Sequence, residues 1–179
     1  MQKVAKQVGK EEFLRQINVG RKDFSKTDFQ VSMNLKGLAL KNLDMRDVSL
    51  IESKITGGAL DGSYMRDAEF NRSALNGVKF EKTDLRGANF EDAEAKDALF
   101  KNSYLCNTYF NRTKLNGSDF DGAFLGGTYF LGADLRGVKN LEKAHMLGYA
   151  IFINAIVEKD VKEVIEQAMR NRKPMFIEL

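Results

Sequence analysis

An all-β solenoid built of square coils is the fold class this sequence predicts, and three observations predict it. An apolar residue recurs every five positions from Leu35 to Leu135. A second series, mostly of small residues, runs two positions ahead of it. Glycine recurs two positions behind many members of the first series. Five is neither the 3.6 period of a helix nor the 2 of a strand. Each five therefore reads as one short extended side followed by a corner.

The central series runs Leu35, Leu40, Met45, Leu50, Ile55, Leu60, Met65 and Phe70, and continues unbroken to Leu135; Ala95 is its one small member, and none is polar. The accompanying series settles after Val48 into small residues such as Ser53, Gly58, Ser63, Ala68 and Ser73. Two inward residues at spacing two are strand-like. The corner glycines stand at 37, 57, 62, 77, 87, 117, 122, 127, 132 and 137. A type II turn asks for positive φ at that place, which glycine adopts freely. The number of sides follows from the side chains. From Phe70 onward, phenylalanine recurs every ten residues to Phe130, with leucine between (Ala95 excepted). A spacing of ten joins opposite sides of a four-sided coil, so each Phe stacks on a Phe one coil later. Coils about 4.8 Å apart give about five coils and a rod of roughly 25 Å over residues 35–135.

The ends break the period. Phe24 and Phe29 are one residue out of phase with Leu35, which predicts an early coil and a one-residue bulge near Gln30 to Asn34. Ahead of them Phe13, Leu14 and Ile17 fall at helical spacing, as expected of a short helix capping an otherwise open core. After Leu135 the series slips by one and continues as Leu141, Met146, Ile151 and Ile156. Asp160 to Asn171 then reads as a helix with Val161, Val164, Ile165, Ala168 and Met169 on one face, ended by Pro174 and followed by the apolar Met175 to Ile177. The expected division is an N-terminal capping segment 1–21, a repeat rod 22–157 and a C-terminal capping helix and tail 158–179.

Ala88-Asn89-Phe90, Thr83-Asp84-Leu85-Arg86-Gly87 and Ala133-Asp134-Leu135-Arg136-Gly137 resemble the A(D/N)LxG pattern of the pentapeptide-repeat family, a likeness that covers about 120 of the 179 residues. The resemblance implies a right-handed quadrilateral β-helix and a largely non-enzymatic family. One branch is known for mimicking duplex DNA, binding DNA gyrase and related topoisomerases and conferring quinolone resistance. Such mimicry needs a strongly negative rod. Residues 31–140 hold fifteen Lys+Arg and fifteen Asp+Glu, a net of zero, and carry no long inserted loop.

The remaining composition narrows the classes further. No apolar run reaches 18 residues, so no ordinary membrane-spanning helix is expected. The charged N-terminus carries no apolar signal core, and Cys106 has no partner for an internal disulfide, so the expected compartment is the cytoplasm. The mixed charge, +3 over the whole chain, argues against direct nucleic-acid binding. His145 stands alone in the apolar C-terminal run, and Cys106 follows a central Leu105 and should point outward. Phosphate-loop, dinucleotide and zinc-protease motifs are absent, and the glycine pairs at 57–58 and 126–127 fall on corners. The expectation is a protein that is not an enzyme and has no cofactor, metal site or catalytic residue.

Two surface features remain. Positions twenty apart stack, so Arg46, Arg66 and Arg86 form one column flanked by Asp47 and Asp67, either a mixed-charge ladder worth little or an anion site. Tyr64, Tyr104 and Phe124 share an outward column, and Tyr109 and Tyr129 share the next one, with Leu131 close by. Large outward apolar groups tend to mark interfaces, unless the C-terminal tail folds back over them. Together with Val164 and Met169 of the last helix they form the candidate interaction surface. That helix can cap its own rod, pair with its twin, or do both. The function expected is a rigid protein-interaction module whose partner the sequence does not name, with a homodimer joined near residues 145–179 as one form; the alternative is the gyrase-binding DNA mimic.

Overall fold

The computed structural model describes residues 7–172. From Asn34 to Lys139 the chain is a β-helix solenoid with a register of twenty: Asn34 pairs in parallel with Lys54, Ala39 with Ala59, and so on to Asp119 with Lys139. Each coil thus has four five-residue sides, with one paired residue per side. Two backbone bonds tie each pair. Tyr104 N–H donates to Thr83 C=O at 3.0 Å, and Leu85 N–H donates to Tyr104 C=O at 2.9 Å. The corner is closed locally: Ala88 N–H donates to Leu85 C=O at 3.0 Å. Between them Gly87 takes φ +73°, and a Cβ there would lie 2.1 Å from Asp67 Oδ1 of the preceding coil. Glycine adopts that conformation without strain, while Asp67, Asp92 and Asn107 hold φ +57°, +59° and +60° at the equivalent place of other sides.

The central residues are inside. Leu35, Met45, Phe70, Phe90, Leu105 and Leu135 are all fully buried. Phe90 stacks between Phe70 at 4.8 Å and Phe110 at 4.9 Å, and meets Phe80 and Phe100 edge to face. A second stack, Phe80–Phe100–Phe120, runs on the opposite side at 5.3 and 5.2 Å. Offset-stacked and edge-to-face contacts are the favoured aromatic arrangements, so the ten-residue alternation gives both at once.

The small series has a second reason to be Ser or Thr. Thr113 Oγ1 donates to Phe90 C=O at 2.7 Å, Thr108 to Leu85 C=O at 2.8 Å and Thr128 to Leu105 C=O at 2.7 Å, each twenty-three residues back. These hydroxyls are buried, and each ties a corner carbonyl to the next coil. A buried hydroxyl without such a partner would be costly.

Two helices, α1 (Lys10–Asn18) and α2 (Lys159–Arg170), flank the rod. Phe13 of α1 is fully buried, 4.7 Å from Phe24 and 4.9 Å from Phe29. The early slip lies between Lys26, whose N–H reaches Arg46 C=O, and Ser32, whose N–H reaches Ile51 C=O, slightly ahead of the expected segment. Val161, Val164, Ile165 and Ala168 of α2 pack on the core, and α2 crosses the corner at Gly148 so closely that a Cβ there would sit 2.3 Å from Ala168 C=O. Among the described residues no helix is long and apolar enough to cross a membrane. Pro174 and the apolar Met175 to Ile177 lie outside the described residues.

The last coil corrects the sequence expectation. Leu141 is buried, but Met146 and Ile156 are exposed and Ile151 is only half-buried. The inward residues are instead Leu147, Phe152 and Val157. Two extra residues cause this. Asn140 and Met146 both adopt left-handed backbone, at φ +57° and +59°, and each precedes a short 3-10 turn, Leu141–Lys143 and Leu147–Tyr149. The register lengthens accordingly: Phe124 pairs with His145, Tyr129 with Ile151 and Asp134 with Ile156. Phe152 thereby reaches Phe130 and stacks on it at 4.9 Å.

Candidate interaction surface

The paired residue of each side points outward, so identical spacing turns sequence into columns. On one side the column reads Asp44, Tyr64, Asp84, Tyr104, Phe124, His145; on the next, Ser49, Glu69, Asn89, Tyr109, Tyr129, Ile151. Tyr104 and Phe124 stack at 5.1 Å, Phe124 and His145 at 4.5 Å, and Tyr109 and Tyr129 at 4.9 Å. The ring faces are spent on one another along the rod, so the edges and the tyrosine hydroxyls meet the outside. Tyr104 is 46% exposed and Tyr109 38%, while Phe124 and Tyr129 are half-buried. Exposed Leu131 lies at the following corner.

The structure separates some residues that the sequence grouped. Tyr64 is 60% exposed, but Asp84 stands between it and Tyr104, so it is not part of the stack. Val164 and Met169 part company: Val164 is packed on the core while Met169 is 37% exposed. The sequence missed His145, Met146, Ile151 and Ile153, which extend the same two sides outward at the last coil. Their spacing from the column below is 21 or 22 rather than 20. Counting Asn140 as an inserted left-handed residue is the one signal that points to them.

The arginine column is internally neutralised. Arg46 donates to both oxygens of Asp44 at 2.8 and 2.6 Å, and Arg86 does the same to Asp84. Arg66 adds a contact to Asp84 at 3.3 Å. The carboxylates involved are Asp44 and Asp84, two residues before Arg46 and Arg86, and not Asp47 or Asp67. Hydrogen bonds from Arg46 hold the Asp44 carboxyl below its usual range. Burial alone would raise Asp84, but the Arg86 hydrogen bonds outweigh it and the net direction is also down. Asp134 is held well below the usual range by Arg136 in the same way. Guanidinium groups clipped to their own carboxylates leave little net field for an external anion.

Other charges form ladders between coils: Lys41–Asp61 at 2.9 Å, Arg72–Glu52 at 3.0 Å, Lys101–Asp121 at 3.0 Å and Lys114–Glu94 at 2.6 Å. Cys106 is half-buried, its thiol directed at Phe124 C=O at 3.9 Å. Among the described residues no group of His, Cys, Asp and Glu is placed to hold a metal ion.

The family model for pentapeptide repeats matches eight copies, at residues 59–92, 96–130 and 110–146. No curated protein matches the sequence. Among solved structures, the chain is similar to a pentapeptide repeat protein of the Arabidopsis thaliana thylakoid lumen, at 25% identity and a TM-score of 0.27; the match covers 59% of this chain and 66% of that one, just under two thirds of its length. It is similar to Rfr23, a pentapeptide repeat protein from the cyanobacterium Cyanothece 51142, at 17% identity and a TM-score of 0.26, covering 82% and 94%. It is also similar to QnrB1, a plasmid-mediated fluoroquinolone resistance protein, at 13% identity and a TM-score of 0.30, covering 80% and 86%. With its repeat matched at residues 59–92 and 96–146 and its five-residue period laid out as stacked square coils, the chain carries the repeat of the pentapeptide-repeat family.

Proposed function

We propose that this protein is a non-enzymatic, rigid interaction module that receives a protein partner on the two adjacent aromatic sides of its C-terminal half. The observation that carries the reading is the stacked pair of columns Tyr104–Phe124–His145 and Tyr109–Tyr129. Rigid aromatic groups lose little entropy on binding and are enriched at interface centres. In the same reading the rod is right-handed, as the family implies, and its ends are closed by α1 and α2; Phe13 and Ile165, both buried, support that role. The rod then spans 22–157 between capping segments 1–21 and 158–179. A cytoplasmic location fits a lone, half-buried thiol. A homodimer joined near residues 145–179 is one form of such a partner, with Met169 rather than Val164 available to it.

The test is capture of a partner from the native host by a photocrosslinker placed at Tyr109, compared with one at Lys54 on another side. Capture at Tyr109 that Tyr104→Ser with Tyr129→Ser removes supports the reading; equal capture from both sides rejects it. The DNA-mimic alternative has the neutral rod against it. It predicts that the protein relieves fluoroquinolone inhibition of gyrase supercoiling, whereas the present reading predicts no effect.

A further inference from the structure

The outward column Tyr64, Asp84, Tyr104, Phe124, His145 lacks one ring. Tyr104 and Phe124, one coil apart, stack at 5.1 Å, and Phe124 and His145 at 4.5 Å. Tyr64 and Tyr104 are two coils apart, about 10 Å at the ordinary spacing of paired strands. A ring midway between them would lie about 5 Å from each, the separation this column already uses. Asp84 holds that rung without filling it. Its side chain is 12% exposed, and its two oxygens accept from Arg86 at 2.8 and 2.6 Å. Above it is a cleft of about 390 Å³ lined by Tyr64, Tyr104, Asp84, Arg86, Lys82 and Gly62.

The charge around this cleft is unequal. Arg46 and Arg86 each have an aspartate two residues earlier, but Arg66 has Tyr64 there. Arg66 instead reaches Asp84 at 3.3 Å, so two guanidinium groups share one carboxylate. Exposed Lys82 adds a further positive charge at the preceding corner. Asp61 of that corner is paired with Lys41 at 2.9 Å, and neither it nor Glu81 lines the cleft. The site therefore offers two tyrosine rings one ring-width apart and an excess of positive charge at their base.

We propose that this cleft receives one aromatic side chain of the partner protein, flanked in the partner's sequence by acidic residues. This rests on the interaction-module reading and names the feature its partner carries. The ring completes the column between Tyr64 and Tyr104, with its faces on the two tyrosines and its positive edge toward the Asp84 carboxylate. The flanking carboxylates meet Lys82 and Arg66. Two other occupants fit less well. Phe176 is the one aromatic residue beyond Arg172, which packs beside Gly148 in the last coil. The four residues from Arg172 to Phe176 span about 14 Å at full extension. The cleft lies three coils lower, about 14 Å along the axis alone, and the chain would also have to cross the side and stand off its surface. A second copy brings like charge, because its exposed Tyr64 and Tyr104 stand beside Arg66 and Arg86.

The probe is the blocked peptide acetyl-GDEWDEG-amide, titrated into the full chain. The protein has no tryptophan, so tryptophan emission reports the peptide alone. The expected result is a saturable blue shift, at least tenfold weaker binding of acetyl-GKKWKKG-amide, and no competition from acetyl-GDELDEG-amide in tenfold excess. Tyr64→Ser should weaken the acidic peptide about tenfold. Asp84→Tyr is the sharper variant, because it puts a ring in the empty rung while removing a negative charge. Occupancy of the rung predicts at least tenfold weaker binding, whereas attraction by charge alone predicts tighter binding. Unchanged or tighter binding to a folded Asp84→Tyr overturns the inference, and so do equal binding of the acidic and basic peptides, competition by the leucine peptide, or no shift at all. If Asp84→Tyr does not fold, Tyr64→Ser, at an exposed position, decides in its place. Phe176→Ser binding the probe more than tenfold tighter would assign the cleft to residues 173–179 of this chain instead. Light scattering showing a dimer that the peptide disperses would assign it to a second copy. Partner capture at Tyr109 that Asp84→Tyr leaves unchanged would overturn this inference and keep the reading beneath it; the expected peptide pattern without any capture at Tyr109 would do the reverse.

Discussion

The middle of the rod and its last coil are made from the same materials with different outcomes. Between Phe70 and Phe130 the register is twenty throughout, every central residue is buried and outward positions are mostly polar. Beyond Leu135 two extra residues lengthen the coil, the inward set moves to Leu147, Phe152 and Val157, and Met146, Ile153 and Ile156 are left outside. One residue inserted into a two-in, three-out pattern exchanges the faces of the residues after it, for the same reason that a one-residue slip reverses a strand. The apolar surface at this end is therefore a consequence of the lengthened coil.

The largest effect that would sharpen this contrast is in the aromatic stack. Phe90→Ala, which removes a ring held between two others, is expected to cost about 3–5 kcal/mol in denaturant melts. Phe90→Leu should cost clearly less. Phe152→Ala, at a half-buried stack end with one ring beneath it, should fall below that range; a loss equal to that of Phe90 would show the last coil packed as tightly as the middle.

Next in size is the corner at Gly148. Adding a methyl group by Gly148→Ala forces Ala168 and α2 away, and a loss of about 1–3 kcal/mol is expected. The matching change in the middle, Gly77→Ala, meets no atom within 4 Å and carries only the penalty of its positive φ. A Gly148→Ala variant as stable as wild type would mean that α2 does not press on this corner.

The buried hydroxyl ladder gives a smaller effect. Thr113→Val keeps the shape but leaves Phe90 C=O without its hydroxyl donor, and about 1 kcal/mol of stability should be lost. Because Ala93 already stands at the equivalent place one coil earlier, no loss at all would show the corner turn alone satisfies that carbonyl.

The smallest expected effect is electrostatic and concerns acid. Asp44, Asp84 and Asp134 are held below 3.8 in the folded state. Groups with depressed folded values contribute stability fully above 3.8, and that contribution is lost as pH falls through 3.8 toward the folded values. The melting temperature should thus be flat from pH 8 to about 5 and decline below about 4. Arg136→Met should flatten the decline slightly, since Arg136 is itself largely exposed and its pairing with Asp134 is screened by solvent. A decline centred near neutral pH would show that these carboxylates do not set the acid limit of the fold.

The period of five, the alternation of Phe and Leu, and the corner glycines together determined the square coil, its inward residues from Leu35 to Leu135 and the aromatic columns. Contacts in a solenoid run between neighbouring coils, so a constant spacing in sequence is a constant spacing in space. Three things were decided only by tertiary structure. Arg46 and Arg86 turn back to Asp44 and Asp84, because a two-residue separation around a corner brings those groups within hydrogen-bond reach. Val164 belongs to the rod and Met169 to the outside, because the line along which α2 meets the coils is narrower than its apolar face. His145, Met146, Ile151 and Ile153 join the outward surface because Asn140 and Met146 can adopt left-handed backbone just where the chain turns. Whether an apolar residue near the end of a repeat faces in or out is settled by where the extra residue is absorbed. Packing against Phe130 and α2 decides that, and spacing alone does not.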